Sequence, residues 1–523
     1  MRVSIKSNKL FQVSIVFLFL MAFSSCKTGT KNQQNEPEKL PNIVIIYMDD
    51  LGYGDVGAYG ATEIKTPNMD NLARGGVRFT RGYASSATCS PSRYALLTGE
   101  YPWRNEDAKI LPGTAPLLIR TDQLTIPKML REKGYYTGVV GKWHLGLGNG
   151  NVNWNKKISP GPNQVGFDYS FIMAATQDRV PTVFIEDGNV VGLEENDPIL
   201  VDYQKNFEGE PTGKDNPELL KMKWHHGHNN SIVNGIPRIG FMKGGENAKW
   251  VDENMADTFL GKAKQYVKQH KDEPFFLYYA LQQPHVPRTP NERFTGLSGM
   301  GPRGDAIVEA DWCIGEFIKT LREEGILDNT LIIFSSDNGP VLNDGYYDDA
   351  VEKLGNHTPW GPLRGGKYSL FEAGTRVPLI VYWKGKVSPL VSDAMVSQID
   401  ILSSLAKLAG SNKRSRDSKD LLDVFMGKTQ KGREELVLEA TSRTALRKGD
   451  WAMIPPYNGP ALNTSVNIEL GNSSEFQLYN LSGDIGQQKN LAKENPEKLQ
   501  EMIETFKQIR GADFENIEQL ELK

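Results

Sequence analysis

The sequence predicts an α/β protein with a largely parallel sheet, followed by a smaller C-terminal α+β subdomain. Two patterns carry that expectation. Continuous apolar runs of strand length alternate with amphipathic stretches that open on Pro or a polar cap and close on Gly. Polar residues then gather directly behind several runs. That is the carboxyl edge of parallel strands, where open α/β sheets bind ligands. The first run is "NIVIIYM", Asn42 to Met48. "TPNMDNLARGG" reads as a helix with Thr66 as cap and Pro67 at its first position, before strand-like "VRFTRGYA". "IPKMLREKG" and "YYTGVVGKWH" repeat the helix, the glycine stop and the strand. "PFFLYYAL", "TLIIFSS" and "VPLIVYW" are three more buried strands. Past about Trp383, "ELVLEATSRTALRKGDWAMI" and "EFQLYNLS" read as strands of a small antiparallel sheet. The final helix starts with Asn495 as cap and Pro496, and carries Leu499, Met502, Ile503, Phe506 and Ile509 on one face. The expected division is a main domain over 41–383 and a subdomain over 384–523.

The N-terminus reads as an export signal. Arg2, Lys6 and Lys9 precede an apolar run from Phe11 to Phe23, too short to span a bilayer well. "FSSC" follows and resembles a bacterial lipobox, so Cys26 is the expected site of lipidation; cleavage at a plain secretory site is the alternative. Polar residues 27–40 read as a flexible tether. The expected location is the bacterial cell envelope, lipid-anchored, periplasmic or at the outer-membrane surface. The net charge of −4 gives no case for nucleic-acid binding, so an anionic substrate must be held by local basic residues. Of three cysteines, Cys313 sits in a helical apolar pattern and reads as a small core residue, which leaves Cys89 to explain.

The residues behind the strands suggest chemistry. Asp49, Asp50, Asp337 and Asn338 offer oxygen ligands only, a set that suits calcium or magnesium rather than zinc. Arg93, Lys142 and Lys367 offer positive charge to an oxyanion. His144 and His285 offer proton transfer near neutral pH. Cys89 precedes "PSRYALLTG", which can open a helix and favour negative charge, yet a soft thiolate is a poor partner for a hard cation. Singly, each residue has a structural explanation: a turn, a solvated lysine, a buried thiol. "WHHGHNN", with His225, His226 and His228, reads as a loop; a ligand site, or one histidine reaching substrate, is the alternative.

"CSPSRYALLTG", Cys89 to Gly99, resembles the sulfatase signature C-x-P-S-R-x-x-x-L-T-G at every fixed position. "GYYTGVVGKWHLG" resembles the second sulfatase signature, and "DDLGYGD", "QPHVP", "SSDNG" and "RGGK" resemble the remaining blocks in order. The resemblance is to the type I, formylglycine-dependent sulfatases. It implies an alkaline-phosphatase-like fold, a large mixed, mostly parallel sheet sandwiched by helices. It implies that a maturation enzyme, formylglycine-generating or anaerobic sulfatase-maturing, oxidises Cys89 to Cα-formylglycine. The hydrated aldehyde is an oxygen nucleophile whose second hydroxyl permits elimination of sulfate. It further implies one Ca2+ held by Asp49, Asp50, Asp337 and Asn338. Arg93 would hold formylglycine 89. Lys142 and Lys367 would grip sulfate, His285 would protonate the leaving oxygen, and His144 would assist elimination.

"GFDYSFIMAATQDRVPTVFIEDG" resembles sulfatases acting on galactose or N-acetylgalactosamine sulfates, 6-O-sulfate first among them. Asp178 and Arg179 would grip sugar hydroxyls, with His357 and Arg364, near Lys367 in the sequence, as further rim candidates. The alternatives are a sulfatase on algal polysaccharide such as ulvan or carrageenan, a phosphoester or phosphonate hydrolase of the same fold, an inactive glycan-binding lipoprotein, and a thiol enzyme.

Overall fold

The computed structural model describes residues 40–511. The expected signal segment, Cys26 and residues 27–39 of the expected tether lie outside them. A ten-stranded sheet organises the chain. Its order is Leu390–Ser392, Val77–Phe79, Leu379–Tyr382, Thr330–Ser336, Asn42–Met48, Phe275–Ala280, Tyr136–Lys142, Tyr169–Met173, Phe184–Glu186 and Asn189–Val190. The central five, from Thr330–Ser336 to Tyr169–Met173, are mutually parallel. Leu379–Tyr382 and Phe184–Glu186 run antiparallel to their neighbours, so the sheet is mixed and mostly parallel, as predicted.

Both faces of the central strands are covered, which explains their unbroken apolar runs. Ile43, Ile45 and Tyr47 join the core on one face, with Leu96 and Leu97 of helix Cys89–Thr98 and Leu402 and Leu405 of helix Ile401–Leu408. Val44, Ile46 and Met48 join the other, with Met69, Phe259 and Phe317 of helices Pro67–Gly75, Met255–His270 and Gly301–Glu323. Cys313 is fully buried there, as expected of a core residue. Among the described residues, no helix is long and apolar enough to cross a membrane.

The C-terminal sheet is an antiparallel meander of Glu435–Ala440, Arg443–Lys448, Trp451–Ile454 and Gln477–Asn480. Helix Pro496–Arg510 buries Met502 and Phe506 against it. Two expectations need correction. The main sheet does not stop at residue 383: Leu390–Ser392 pairs in parallel with Val77–Phe79, and helix Ile401–Leu408 shares the main core. A three-residue strand carries too little pattern to be read in advance. Neither Asn495 nor Thr66 caps its helix through the side chain. Asn495 Nδ2 donates to Leu491 O, and Thr66 Oγ1 accepts from Gly57 N and donates to Asp70.

Candidate active site

Strand register assembles the site. Met48 pairs with Ser336, so Asp49 and Asp337 leave the sheet side by side. Tyr47 pairs with Ala280, and Ala280 with Gly141, which brings Lys142 and the "QQPHVP" loop to the same edge. Gly141 takes φ +115°, and a Cβ there would lie 1.8 Å from Ala280 O, so only glycine lets the chain turn Lys142 inward. Asp50, His144 and Tyr368 also have positive φ, of 63°, 50° and 73°. Non-glycine residues held there cost on the order of 1–3 kcal/mol each and cluster at functional sites.

Cys89 is the first residue of the ten-residue helix Cys89–Thr98, every residue of which is buried. Arg93 lies four residues on, hence on the same helix face. Its Nε and Nη2 donate to Asp337 Oδ2 at 3.0 and 2.7 Å, and its Nη1 to Lys142 O and Tyr278 Oη. Lys142 Nζ lies 2.5 Å from Asp49 Oδ2. Lys367 Nζ sits between Asp50 Oδ2 at 2.9 Å and Asp344 Oδ2 at 2.8 Å. Cys89 Sγ is 3.5 Å from Asp49 Oδ1. Burial pushes the thiol far up, and the Asp337 carboxylate adds to the shift, so no thiolate forms here.

Asp49, Asp50, Asp337 and Cys89 bring potential ligand atoms within 4.8 Å of one another. Asn338 Nδ2 donates to Asp50 Oδ1, while its Oδ1 is buried with no hydrogen-bond partner. Burial raises the Asp49 carboxyl far above its usual range despite Lys142, and neighbouring Asp337 and Asp50 contribute. Asp337 is also buried, but Arg93 and Lys142 outweigh that and hold it at about 2. Crowded carboxylates, an orphaned amide oxygen and oxygen-only donors fit a hard divalent cation.

The two histidines are oriented by their hydrogen bonds. His144 Nε2 donates to Leu111 O at 2.9 Å, and its Nδ1 is buried without a partner. His285 Nδ1 donates to Val286 O at 2.7 Å, which leaves Nε2 3.9 Å from Asp50 Oδ2. Burial lowers both pKa values, helped at His144 by Lys142 and at His285 by Lys367 and then Lys142, so both rings are neutral.

Above these groups lies a cavity of about 250 Å³. Cys89, His144, His285, Lys367, Asp178 and Arg179 all line it. Arg179 Nη1 donates to Asp178 at 3.1 Å, and His228 Nε2 lies 2.8 Å from Asp178 Oδ2. Asp178 is buried, but Arg179 and His228 outweigh that and hold its carboxyl well below the usual range. His226 and His228 of the "WHHGHNN" loop thus reach the cavity.

The structure does not place His357 or Arg364 in this cavity. His357 Nε2 donates to Asp55 Oδ1, which also accepts from Arg303. Arg364 forms a bidentate pair with Glu469 and donates to Gln487 O. Nearness to Lys367 in sequence was misleading, because Gly365 at φ +85° turns the chain between them. Sequence reasoning missed Asp344, Tyr368 and the cavity wall at Asn463, Ser465 and Val466. Asp344 had one faint signal, an acidic residue seven places after Asp337; the wall had none.

A model of the sulfatase family matches residues 41–411. An N-acetylgalactosamine-6-O-sulfatase from Bacteroides thetaiotaomicron is 49% identical over 93% of this chain and 96% of its own length. The chain belongs to the sulfatase family. It is a sulfuric ester hydrolase with the alkaline-phosphatase-like architecture. Human arylsulfatase A is 31% identical over 90% of this chain and 87% of its own length. A solved Bacteroides thetaiotaomicron structure concerned with the metabolism of multiple glycosaminoglycans superimposes with a TM-score of 0.89 at 50% identity. The match covers 91% of this sulfatase and 100% of that chain. Sulfatases of this family generally work through formylglycine and calcium.

Proposed function

We propose that this sulfatase removes 6-O-sulfate from N-acetylgalactosamine or galactose residues of a sulfated glycan. The observation that carries the reading is a single cavity shared by the Cys89 cluster, which suits the sulfate ester, and the Asp178, Arg179 and His228 group, which suits the sugar. The 49% identical N-acetylgalactosamine-6-O-sulfatase supports the sugar and the position. So does human N-acetylgalactosamine-6-sulfatase, 30% identical over 74% of this chain and 66% of its own length.

Cys89 is the position for formylglycine, and Asp49, Asp50, Asp337 and Asn338 Oδ1 are the ligands for Ca2+. When present, the two groups supply an oxygen nucleophile and a charge that polarises the sulfate ester. The chain's own side chains do the rest. Four acidic side chains, Asp49, Asp50, Asp337 and Asp344, face three basic ones, Arg93, Lys142 and Lys367. A bound divalent cation would favour the ionised form of Asp49, which burial otherwise disfavours, and would leave the ionised set with one net positive charge, which suits a sulfate monoanion. Lys142 and Lys367 hold the sulfate oxygens. Arg93, fixed at three acceptors, orients residue 89 and Asp337. His144 Nδ1, the unpartnered acceptor, takes a proton at residue 89. His285 Nε2 would hand a proton to the leaving oxygen: burial, then Lys367 and Lys142, keeps the ring neutral at rest, and an incoming anion would offset the lysines so that the ring can take up that proton from solvent. Asp178 and Arg179, braced by His228, orient the sugar through charged hydrogen bonds.

A desulfation panel tests the reading. The expected result is release from 6-sulfated galactosamine and galactose, and little from their 4-sulfated isomers, 6-sulfated glucosamine, algal oligosaccharides or an aryl phosphate. Preference for any of those overturns the assignment. The peptide carrying residue 89 should show the aldehyde mass, and Cys89→Ala should release no sulfate. We also place the enzyme at a bacterial envelope, matured by a formylglycine-forming enzyme and anchored at Cys26. The basic, then apolar, N-terminus supports this. Palmitate labelling lost in Cys26→Ala is the check; labelling that persists refutes it.

A further inference from the structure

Behind the wall of the catalytic cavity lies a second cleft. Strand Leu462–Asn463 turns back into Ile468–Glu469, and Ser465 and Val466 in the turn line both spaces. The second cleft encloses about 520 Å³, twice the catalytic cavity. The catalytic cavity is smaller than the roughly 300–1,000 Å³ of ordinary ligand pockets, so it has room for little beyond one sulfated sugar. A longer glycan must continue outside it, and this cleft adjoins it across a single hairpin.

The lining suits neutral saccharide rather than a second anion. Trp360 is half-buried, packed on the core from behind, and borders the cleft with Val351 and Val466. Val351 is 53% exposed. Arg364 and Glu469, the opposed charges on the wall, cancel in a bidentate pair. Asn343 Oδ1, also on the wall, is buried and has no hydrogen-bond partner. An aromatic surface with few charges matches the C–H face of a pyranose, and an unsatisfied carbonyl matches its hydroxyl rim. We propose that this cleft binds the saccharides flanking the sulfated sugar on the same glycan chain, stacked on Trp360 and hydrogen-bonded at Asn343. This extends, and rests on, the glycan 6-O-sulfatase reading.

The test compares kcat/KM for a 6-sulfated N-acetylgalactosamine monosaccharide with that for a tetrasaccharide ending in the same sugar. Trp360→Ala should lower the tetrasaccharide value about five- to tenfold and leave the monosaccharide value unchanged. Trp360→Phe should restore most of the loss. Val351→Glu changes an exposed side chain, so folding is not at stake. It should set a charge in the apolar lining that the flanking saccharides cover, and so lower the tetrasaccharide value alone. If the wild type releases sulfate from the monosaccharide and both variants leave the ratio of the two substrates unchanged, the cleft assignment is overturned by itself. If the wild type releases sulfate from neither substrate, the functional reading fails and the cleft proposal falls with it.

Discussion

Two of the buried charge clusters among the described residues are built to opposite rules. Around Asp55, every carboxylate oxygen has its donor. Arg303 reaches both oxygens at 2.8 and 2.6 Å, His357 reaches Oδ1 at 2.8 Å, and Gly52 N reaches Oδ2 at 2.8 Å. The Asp55 carboxyl is buried, yet Arg303 and His357 hold it below its usual range. Around Asp50, carboxylates outnumber cations, Asn338 Oδ1 and His144 Nδ1 lack partners, and three non-glycine residues carry positive φ. A cluster whose carboxylate oxygens are all satisfied supports the fold. An unsatisfied one is held in place by the surrounding sheet and waits for a ligand.

Neutralising one carboxylate in each cluster breaks the comparison most sharply. Asp50→Asn should cut sulfate release by at least roughly 100-fold. Its melting temperature without calcium should stay level or rise, because Lys367 keeps Asp344 and one of the crowded acidic groups is removed. Asp55→Asn should do the reverse. Leaving Arg303 and His357 without their carboxylate costs about 3–5 kcal/mol of stability, while turnover per folded molecule persists. Chelation extends the contrast. Calcium at 100 times its Kd should stabilise the wild type by about 2.7 kcal/mol, and most of that shift should vanish in Asp50→Asn and survive in Asp55→Asn. Thermal melts with and without chelator, read beside sulfate release, decide between the clusters; equal losses of stability in both variants would erase the distinction.

The same contrast explains what the sequence disclosed. Asp49, Asp50, Lys142, Asp337 and Asn338 were legible because each ends or directly follows a buried strand, His285 because it lies in the loop just beyond one, and parallel register carries strand ends to one edge. Cys89 and Arg93 were legible because they hold fixed positions of the sulfatase signature, and the helix Cys89–Thr98 sets them one turn apart. His357 and Arg364 were misplaced because chain proximity to Lys367 says nothing about which side of Gly365 a side chain takes. Asp344, His228 and the turn at Ser465 and Val466 come from loops without periodicity. Their positions follow from tertiary packing alone, and the last belongs to a segment more than 350 residues from Cys89. The boundary near 383 failed for a related reason: Leu390–Ser392 is recognisable as a strand only once Val77–Phe79 is beside it.

Glu309 gives the smallest and most selective test, because it is a buried carboxyl of neither kind. It lies in helix Gly301–Glu323 and has no ion-pair partner within 4.0 Å among the described residues. Gln283 Nε2 donates to it at 3.0 Å and Asn291 N at 2.9 Å. Burial pushes its pKa from the usual 4.5 up to about 7 against those hydrogen bonds. The folded state therefore binds more protons than the unfolded state between these two values. The contribution to stability is full below pH 4.5 and is lost as pH rises through about 7. Glu309→Gln fixes the neutral form. Its amide is accommodated because Gln283 Oε1 is buried without a partner and can accept from it once Gln283 turns over. The variant should flatten the fall in stability between pH 5 and 8 by about 1–3 kcal/mol. Denaturant titrations at several pH values measure that slope. An unchanged slope would mean that Glu309 reaches water in the folded protein and that its burial is not what sets its titration.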